Sequence, residues 1–473
     1  MHKIIKLDDL TLIFSPSKGL DTASLGVFLC TGSRDEKKSI KGIAHFLEHL
    51  LFKGTKKHSH LQIKKEIEGR GGALNGFTSY ESTGYYAHFL RKNLKPTVDI
   101  LMDMVLNPLL KKEDIEKERN VILEEIKMYD DLPASRASIL LDKLIWPNHP
   151  LGDEVIGYFS TVGKIQRKDL LSFKKAYYHP SNIVVSCAGD FKEEKIIQLL
   201  KNKIKNLSSP KINLQRKAPL GLRGMHLSIE KKSLEQSHLC IGFRSPSYLS
   251  KHLFAMDIIN VILGANMSSR LYEEIREKRG LCYDISTEVK KYRDSGAFFV
   301  HLGLDKSRII VALKSILREL ARIKEKEVSS KELARAKDYF LGQITMSLER
   351  PQGRMFYFAD SYIHLGKIHS LDDIKKKVAA ITPHNIKQLA KEIFKFNNIC
   401  ISCVGNVDKA LENKIKQTIN EHPSTCTGAQ VSGAQVPGAR SERRSSFLEN
   451  HLKVNPKHLR LSNLHWRRRQ TIL

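Results

Sequence analysis

The stretch GIAHFLEHLLFKGT, residues 42–55, decides how this chain is interpreted. Its apolar run predicts a helix, and His45 and His49, four positions apart, lie about 40° apart on one face of that helix. Two imidazoles so placed can bind one Zn²⁺, and Glu48 is near enough to exchange a proton with water at the metal. The order H-x-x-E-H reverses the H-E-x-x-H metal motif. A core helix with two polar histidines would show the same five residues, so both interpretations stay open here.

The composition is that of a large globular protein. The chain has 473 residues and a hydrophobic share of 41%, which suits two large domains or more. No run of about 18 apolar residues predicts a transmembrane helix, and residues 1–9 turn acidic too early for a signal peptide. The seven cysteines are scattered and indicate reduced core thiols. Cys400 and Cys403 stand in a strand-like run, where they would point to opposite faces. The cytoplasm is the expected location.

The formal net charge of +28 raises the alternative of a nucleic-acid-binding protein. The lysines are spread over helical faces and do not alternate with aromatic residues as in a base-stacking surface. We therefore interpret most of the charge as solvated surface with a weak preference for anionic partners, and we expect no nucleic-acid function. Residues 421–473 combine a small-residue quasi-repeat with a basic end and are predicted to form a disordered basic tail.

The chain repeats one unit. Two segments, residues 162–190 and 378–406, each predict a helix leading into a strand that ends at Gly-Asp or Gly-Asn. Gly189 and Gly405 are 216 positions apart, which indicates a unit of about 200 residues. Strands separated by long helices predict an α+β fold of two homologous α/β-sandwich domains, with helices on a mostly antiparallel sheet. The expected bounds are residues 1–207 for the N-terminal domain, 208–222 for a linker and 223–420 for the C-terminal repeat.

A zinc site with two histidines and a water needs one more protein ligand. The strongest candidate lies in the amphipathic segment 115–126, where Glu118 and Glu125 are seven positions apart and share one helix face. Glu124 is turned about 100° from Glu125. One face can therefore offer a metal-binding carboxylate and a supporting one. Taken alone, such a segment is also typical of a solvent-exposed charged helix.

Together these motifs resemble the inverted-zincin metallopeptidases of the pitrilysin type, family M16, which include insulin-degrading enzyme and the mitochondrial processing peptidase. The single-chain bacterial branch similar to the processing peptidase fits best. The resemblance implies one Zn²⁺ per chain bound by His45, His49 and Glu125. It implies that Glu48 is the general base and Glu118 the supporting acid. It also implies a clamshell of two domains whose inner chamber admits short or unfolded peptides.

A third motif carries the same resemblance. Residues 71–79, GGALNGFTS, are similar to the edge strand that lies beside the metal in this family. The resemblance implies that Asn75, Gly76, Phe77 and Thr78 hold the substrate backbone by adding it to the sheet as a further strand. Gly76 stands where the family usually has alanine, so we expect a looser strand that keeps its hydrogen bonds.

The second half carries a fourth motif in residues 269–283. Arg276 and Tyr283 occupy the Arg/Tyr pair of a family signature, which implies that they reach across to the substrate and the reacting carbonyl. Residues 254–260 stand where a second H-x-x-E-H motif would lie and do not contain one. The resemblance therefore implies one catalytic half and one degenerate half.

The sequence thus predicts a zinc metalloendopeptidase that hydrolyses peptides or unfolded polypeptide segments, with water activated by Glu48. A homodimer is expected. The alternative is a catalytically silent scaffold or partner subunit in a hetero-oligomeric complex similar to the processing peptidase. The intact set of His45, Glu48, His49 and Glu125 argues against that alternative, because a scaffold needs none of them.

Overall fold

Two β-sheets, one in each half of the chain, form the frame of the protein. The computed structural model describes residues 2–205, 207, 209–210 and 214–421. The first sheet consists of β1 Lys3–Leu7, β2 Leu10–Pro16, β3 Thr22–Leu29, β4 Ala73–Thr78, β5 Thr83–Leu90 and β6 Ile183–Gly189. The strands lie in the order β1-β2-β6-β3-β5-β4. β2 and β6 run parallel, and the other neighbours run antiparallel.

The second sheet repeats this plan with five strands. They are β7 His226–Lys231, β8 Ser237–Ser245, β9 Cys282–Lys291, β10 Gly296–Leu304 and β11 Cys400–Gly405. Their order is β7-β11-β8-β10-β9, with β7 and β11 parallel and the other neighbours antiparallel. This matches β2-β6-β3-β5-β4 strand for strand. The two glycine-ended strands from which the repeat was predicted are β6 and β11.

Helices follow the strands in the same alternation in both halves. Those of the first half are α1 Ile43–Leu51, α2 His60–Ile67, α3 Leu94–Leu106, α4 Lys112–Asp131, α5 Pro133–Ile145, α6 Phe159–Val162, α7 Arg167–Tyr177 and α8 Glu193–Ile204. Those of the second half are α9 Leu253–Leu263, a π-helical turn Tyr272–Glu277, α10 Ile309–Glu325, α11 Ser330–Glu349, α12 Pro351–Leu365, α13 Leu371–Ala379, α14 Pro383–Ile393 and α15 Lys409–Asn420. None of the helices in the described ranges is both long and apolar enough to span a bilayer.

Each sheet is apolar on both faces, and the alternation of side chains along a strand divides them between two cores. In β3, Leu25 and Val27 face the core shared with α1 and α3, whereas Phe28 faces the opposite side. In β11, Cys403 belongs to the core shared with the helices of the second half, and Cys400 belongs to the other side. The two cysteines therefore point to opposite faces, as the strand pattern predicts.

The outer face of each sheet is covered by a helix from the other half. α12 of the second half packs on β2, β3 and β6 of the first sheet, where Met355 and Phe358 contact Phe28 and its neighbours. α5 of the first half packs on β8 and β11 of the second sheet through Leu141 and Ile145. Because each sheet would leave an apolar face uncovered without this exchange, the two halves are joined through their cores.

A cluster of buried charges lies where the two halves meet, in the turn that follows β4. We call Arg34, Glu81, Arg216, Asp294 and His364 the Glu81 cluster. Glu81 is 2.5 Å from Nη1 of Arg34 and 3.2 Å from Nδ1 of His364, and a second nitrogen of Arg34 lies 2.7 Å from Asp294. Arg216, in the predicted linker, is 3.8 Å from Glu81. The cluster thus connects the first half, the linker and the second half.

Within this cluster, Glu81 and His364 shift each other's pKa values in opposite directions. Burial raises the pKa of Glu81, but a hydrogen bond from His364 and the positive charge of the His364 ring lower it to about 2. Burial lowers the pKa of His364, but Asp360 and Glu81 on its two ring nitrogens raise it to about 9. The pair therefore stabilises the charged form of both groups near neutral pH.

The predicted fold class is confirmed: helices pack on two mostly antiparallel sheets in two homologous units. α8 ends at Ile204, and β7 begins at His226. Residues 208 and 211–213 of the predicted linker lie outside the described residues, as do residues 422–473 of the predicted tail. Because α5 and α12 each pack on the sheet of the other half, the residues that pack together do not all belong to the same half of the sequence.

Candidate active site

Helix α1 carries three of the predicted site residues, and its apolar side chains fix their direction. Phe46 and Leu50 are fully buried in the core of the first half, so the helix cannot rotate without exposing them. The imidazole rings of His45 and His49 lie edge to face, with their centroids 4.7 Å apart. Residues four apart on a helix are expected to be neighbours in this way.

Helix α4 brings a carboxylate to these two histidines. Oε2 of Glu125 lies 3.8 Å from Nε2 of His45 and 3.6 Å from Nε2 of His49. The donor atoms of these three residues all lie within 4.8 Å of one another, and no other such group is found within the described ranges. The side chain of Glu124, turned about 100° from Glu125 around the helix, is 70% exposed. The structure thus brings together the three predicted ligands.

The donor set fits zinc. Catalytic zinc sites use three histidine or carboxylate donors at about 2.0–2.2 Å, which in a tetrahedron places neighbouring donors about 3.4 Å apart. The distances of 3.6 and 3.8 Å are close to that spacing. Two imidazoles and one carboxylate leave a fourth position for water or substrate, as hydrolysis requires.

Glu118 supports this arrangement from the same face of α4, about two turns before Glu125. Its Oε2 lies 3.0 Å from Nδ1 of His49, and its Oε1 lies 2.5 Å from the ammonium of Lys53. A proton on Nδ1 shared with a carboxylate leaves Nε2 of the same ring available to a metal. Burial raises the pKa of Glu118, but the hydrogen bonds from His49 and Lys53 outweigh it and hold the pKa below its ordinary value.

Glu48 lies beside the three donors in a buried position. Burial raises its pKa to about 7, whereas the charge of His49 and a hydrogen bond from Thr78 oppose the rise. The hydroxyl of Thr78 donates to Oε2 of Glu48 at 2.7 Å. A carboxyl group with a pKa near neutrality can both accept and release a proton, which is what general acid–base chemistry needs.

Strand β4 carries the four predicted substrate-binding residues and forms the end of its sheet. It pairs with β5 on one side only, in a register that sets Asn75 opposite Tyr86 and Gly76 opposite Tyr85. A strand at a sheet edge offers backbone donors and acceptors to an extended peptide. A Cβ on Gly76 would lie 3.2 Å from Cγ of Glu48, so glycine allows close approach of the strand and the base.

Arg276 and Tyr283 lie together in the second half. The guanidinium of Arg276, in the π-helical turn, stacks 4.7 Å from the ring centre of Tyr272 and 5.4 Å from that of Tyr283. Tyr283 is 81% exposed. Arg276 also pairs with Glu277, so these contacts of the pair all lie in the second half. Their predicted role on the substrate stays a prediction.

Three residues near the site were not singled out from the sequence. Lys53 pairs with Glu118, Glu81 pairs with Arg34 in the turn after β4, and Glu36 accepts hydrogen bonds from the start of α1. Lys53 follows His49 by four positions, so helical spacing could have indicated it. Glu36 and Glu81 reach their partners through loops, and no periodic pattern marks such contacts.

Comparison with protein families gives two matches. A family model described as "Insulinase (Peptidase family M16)" matches residues 12–157, and one described as "Peptidase M16 inactive domain" matches residues 164–340. The first range contains the three donors and Glu48, and the second contains Arg276 and Tyr283. The two models together cover most of the chain.

Relatives of similar length are known from bacteria. The chain is 32% identical over 381 residues to the "Uncharacterized zinc protease YmxG" of Bacillus subtilis (strain 168), which covers 79% of this chain and 90% of that protein. It is 30% identical over 387 residues to an "Uncharacterized zinc protease" of Rickettsia bellii (strain RML369-C), covering 81% of this chain and 93% of the relative.

Solved structures share the fold at low sequence identity. A protease from Helicobacter pylori superposes with a TM-score of 0.81 at 23% identity, over 86% of this chain and 99% of that one. A chain from Pseudomonas fluorescens, described as a peptidase M16 inactive domain, gives a TM-score of 0.80 at 18% identity, covering 86% and 98%. A chain of complex III from Candida albicans gives 0.75 at 18% identity, covering 89% and 99%.

Proposed function

The chain belongs to the M16 family of peptidases, and from this we propose that it is a zinc-dependent endopeptidase acting on peptides or unfolded polypeptide segments. The observation that carries the proposal is the convergence of His45, His49 and Glu125 within 4.8 Å of one another. Glu48, buried and held by Thr78, lies beside that group and beside the open edge of β4. A purely structural helix would have no need of this combination.

His45, His49 and Glu125 would hold the metal, with Glu118 orienting His49. Bound there, zinc would polarise the peptide carbonyl and make water a better nucleophile near neutral pH. Glu48 would take a proton from the attacking water and later give it to the leaving amine. Because Thr78 occupies Oε2, the other oxygen of Glu48 is the one to face water.

The substrate would lie along β4 as an additional strand, held by the backbone of residues 75–78, and Asn75 would contact it near the scissile bond. Arg276 and Tyr283 would approach from the second half, Arg276 to hold the peptide and Tyr283 to donate to the negative oxygen of the tetrahedral intermediate. Since Tyr283 is exposed, closure of the two halves on a substrate would bring it to the reacting carbonyl.

We also propose the domain roles that accompany this mechanism. Residues 1–207 form the catalytic domain, residues 208–222 the linker, and residues 223–420 the degenerate repeat that supplies Arg276 and Tyr283. The homodimer, the cytoplasmic location and the disordered character of the tail stay predictions.

A second function has a specific observation in its favour. The fold is shared with a chain of complex III and with a chain described as an inactive M16 domain, so a catalytically silent scaffold or partner subunit is the alternative. A scaffold role would explain why the second half lacks an H-x-x-E-H motif. It would not explain why α1 and α4 place two imidazoles and a carboxylate together.

A peptide-library digest separates the two. The purified chain is incubated with mixed peptides as isolated, after treatment with a zinc chelator, and after zinc is restored. A peptidase cleaves in the first and third samples and not in the second. Stoichiometric zinc without cleavage of any peptide would favour the scaffold, and cleavage that persists without metal would contradict the proposed mechanism.

A further inference from the structure

The start of α1 depends on a contact from outside the helix. The first backbone N–H groups of a helix have no hydrogen-bond acceptor within the helix. The side chain of the residue before the first turn usually provides an acceptor for one of them. Gly42 occupies that position with φ of +94° and has no side chain to offer. A Cβ there would lie 2.5 Å from the carbonyl oxygen of Ile156. The packing therefore requires glycine, and α1 cannot cap itself.

A buried carboxylate takes the place of the missing cap. Glu36 accepts hydrogen bonds from the N–H of Gly42 through Oε2 at 2.9 Å and from the N–H of Ala44 through Oε1 at 2.8 Å. The side chain of Glu36 reaches the helix from the preceding loop, and the residue is only 7% exposed. Both oxygens are thus committed to the first turn.

That first turn leads directly into the metal-binding group. His45 follows Ala44 in the chain, and its imidazole lies 3.8 Å from Glu125. In the second half, α9 begins differently: the N–H of His252 donates to the hydroxyl of Ser250, two positions earlier. The helix that carries the metal donors is therefore anchored by a buried carboxylate six residues away, and its counterpart by a local hydroxyl.

We propose that Glu36 is a positioning residue for the metal centre, which fixes the first turn of α1 and so the direction of the His45 imidazole. This inference rests on the proposed zinc site. Partners outside the ligand set typically change metal affinity by about 10- to 100-fold when they are removed. Glu36 acts through the backbone and not through the ring, so the lower part of that range applies.

Zinc affinity of the full chain tests the inference. We expect Glu36→Ala to raise the zinc dissociation constant about tenfold, measured by competition with a fluorescent chelator. Glu36→Gln should have a smaller effect, because its carbonyl oxygen still accepts one of the two N–H groups. Asn182→Ala is the matched control, since buried Asn182 donates to Thr31 and to the carbonyl of Tyr177 and not to α1.

The outcomes separate this inference from the proposed function. A wild-type chain that binds no zinc would overturn both. Wild-type zinc binding that Glu36→Ala leaves unchanged would overturn the role of Glu36 and spare the metal site. The thermal midpoint of each variant is measured in parallel. If Asn182→Ala weakens zinc binding as much as Glu36→Ala at an equal loss of midpoint, Glu36 acts on general stability only.

Discussion

Helices α1 and α9 take equivalent places in the two homologous halves, yet they bury different chemistry. α1 carries His45, Glu48 and His49 among apolar residues and buries the first two, whereas α9 buries an almost continuous apolar surface and pairs its Asp257 with Lys291 at 2.5 Å. Buried polar groups are tolerated only where partners satisfy them. The partners of α1 come from α4 and β4, which supply Glu125 and Thr78. The same frame thus brings together three possible metal donors in one half and forms an ordinary core in the other, according to which partners the neighbouring elements supply.

The largest expected effect comes from removing the base and keeping the donors. Glu48→Gln should lower turnover by about 10²- to 10⁴-fold, because general base catalysis is lost, while zinc content stays unchanged. Peptide cleavage and metal analysis on the same sample check this. Glu124→Gln, on the exposed side of α4, is the control and should cleave normally. Normal cleavage by Glu48→Gln would refute the division of roles between the donors and Glu48.

The next effect tests what the second half contributes. Tyr283→Phe should lower turnover by about 10²-fold, since a donor to the developing negative oxygen is removed, and zinc content should not change. Tyr272→Phe keeps the ring on which Arg276 stacks and serves as the control. An unchanged rate for Tyr283→Phe would remove the second half from the chemistry and leave it a structural role.

A third prediction concerns the joint between the halves. The pKa of His364 is raised from an ordinary value of 6.5 to about 9 in the folded chain, so its contribution to stability is complete below about pH 6.5 and is lost as the pH rises through 9. The contribution is on the order of 3 kcal/mol. The pKa of Glu81 is lowered in the folded chain, so the stability that its charge contributes is complete above about pH 4.5 and is lost as the pH falls toward 2.

Denaturant unfolding at several pH values measures this contribution. The stability difference between the wild type and His364→Gln should be largest near pH 6 and should shrink toward pH 9. The comparison with the variant cancels the titration of other groups in that range. Parallel stability curves for the two chains would show that the Glu81 cluster does not depend on a charged His364.

The smallest expected effect tests the contact between β4 and the base. A methyl group on Gly76 would lie 3.1 Å from Phe52 and 3.2 Å from Glu48, so both must move by a few tenths of an ångström. Gly76→Ala should lower turnover about two- to fivefold through this displacement. Gly69→Ala, whose nearest neighbour would be 3.8 Å away, is the control. A faster Gly76→Ala enzyme would instead support the sequence-based expectation that glycine loosens the strand.

The parts of this protein that the sequence predicts are those with local periodicity. Helical spacing was enough to place His45 beside His49 and to separate Glu125 from exposed Glu124, and the glycine-ended strands identified the repeat. The exchange of α5 and α12 was not predicted, because an apolar helix face does not indicate which sheet it covers. The roles of Glu36 and Glu81 depend on loops that join distant segments, and such contacts have no periodic signature.

Metal content per chain tests the central claim most directly, namely that one half holds the metal and the other does not. The account predicts one zinc per wild-type chain, one in His58→Ala and none in His49→Ala. His58 is the control because it lies nine residues beyond His49 and pairs with Asp103 outside the donor group. A wild-type chain with no zinc or with two, or a His49→Ala chain that keeps its zinc, would contradict it.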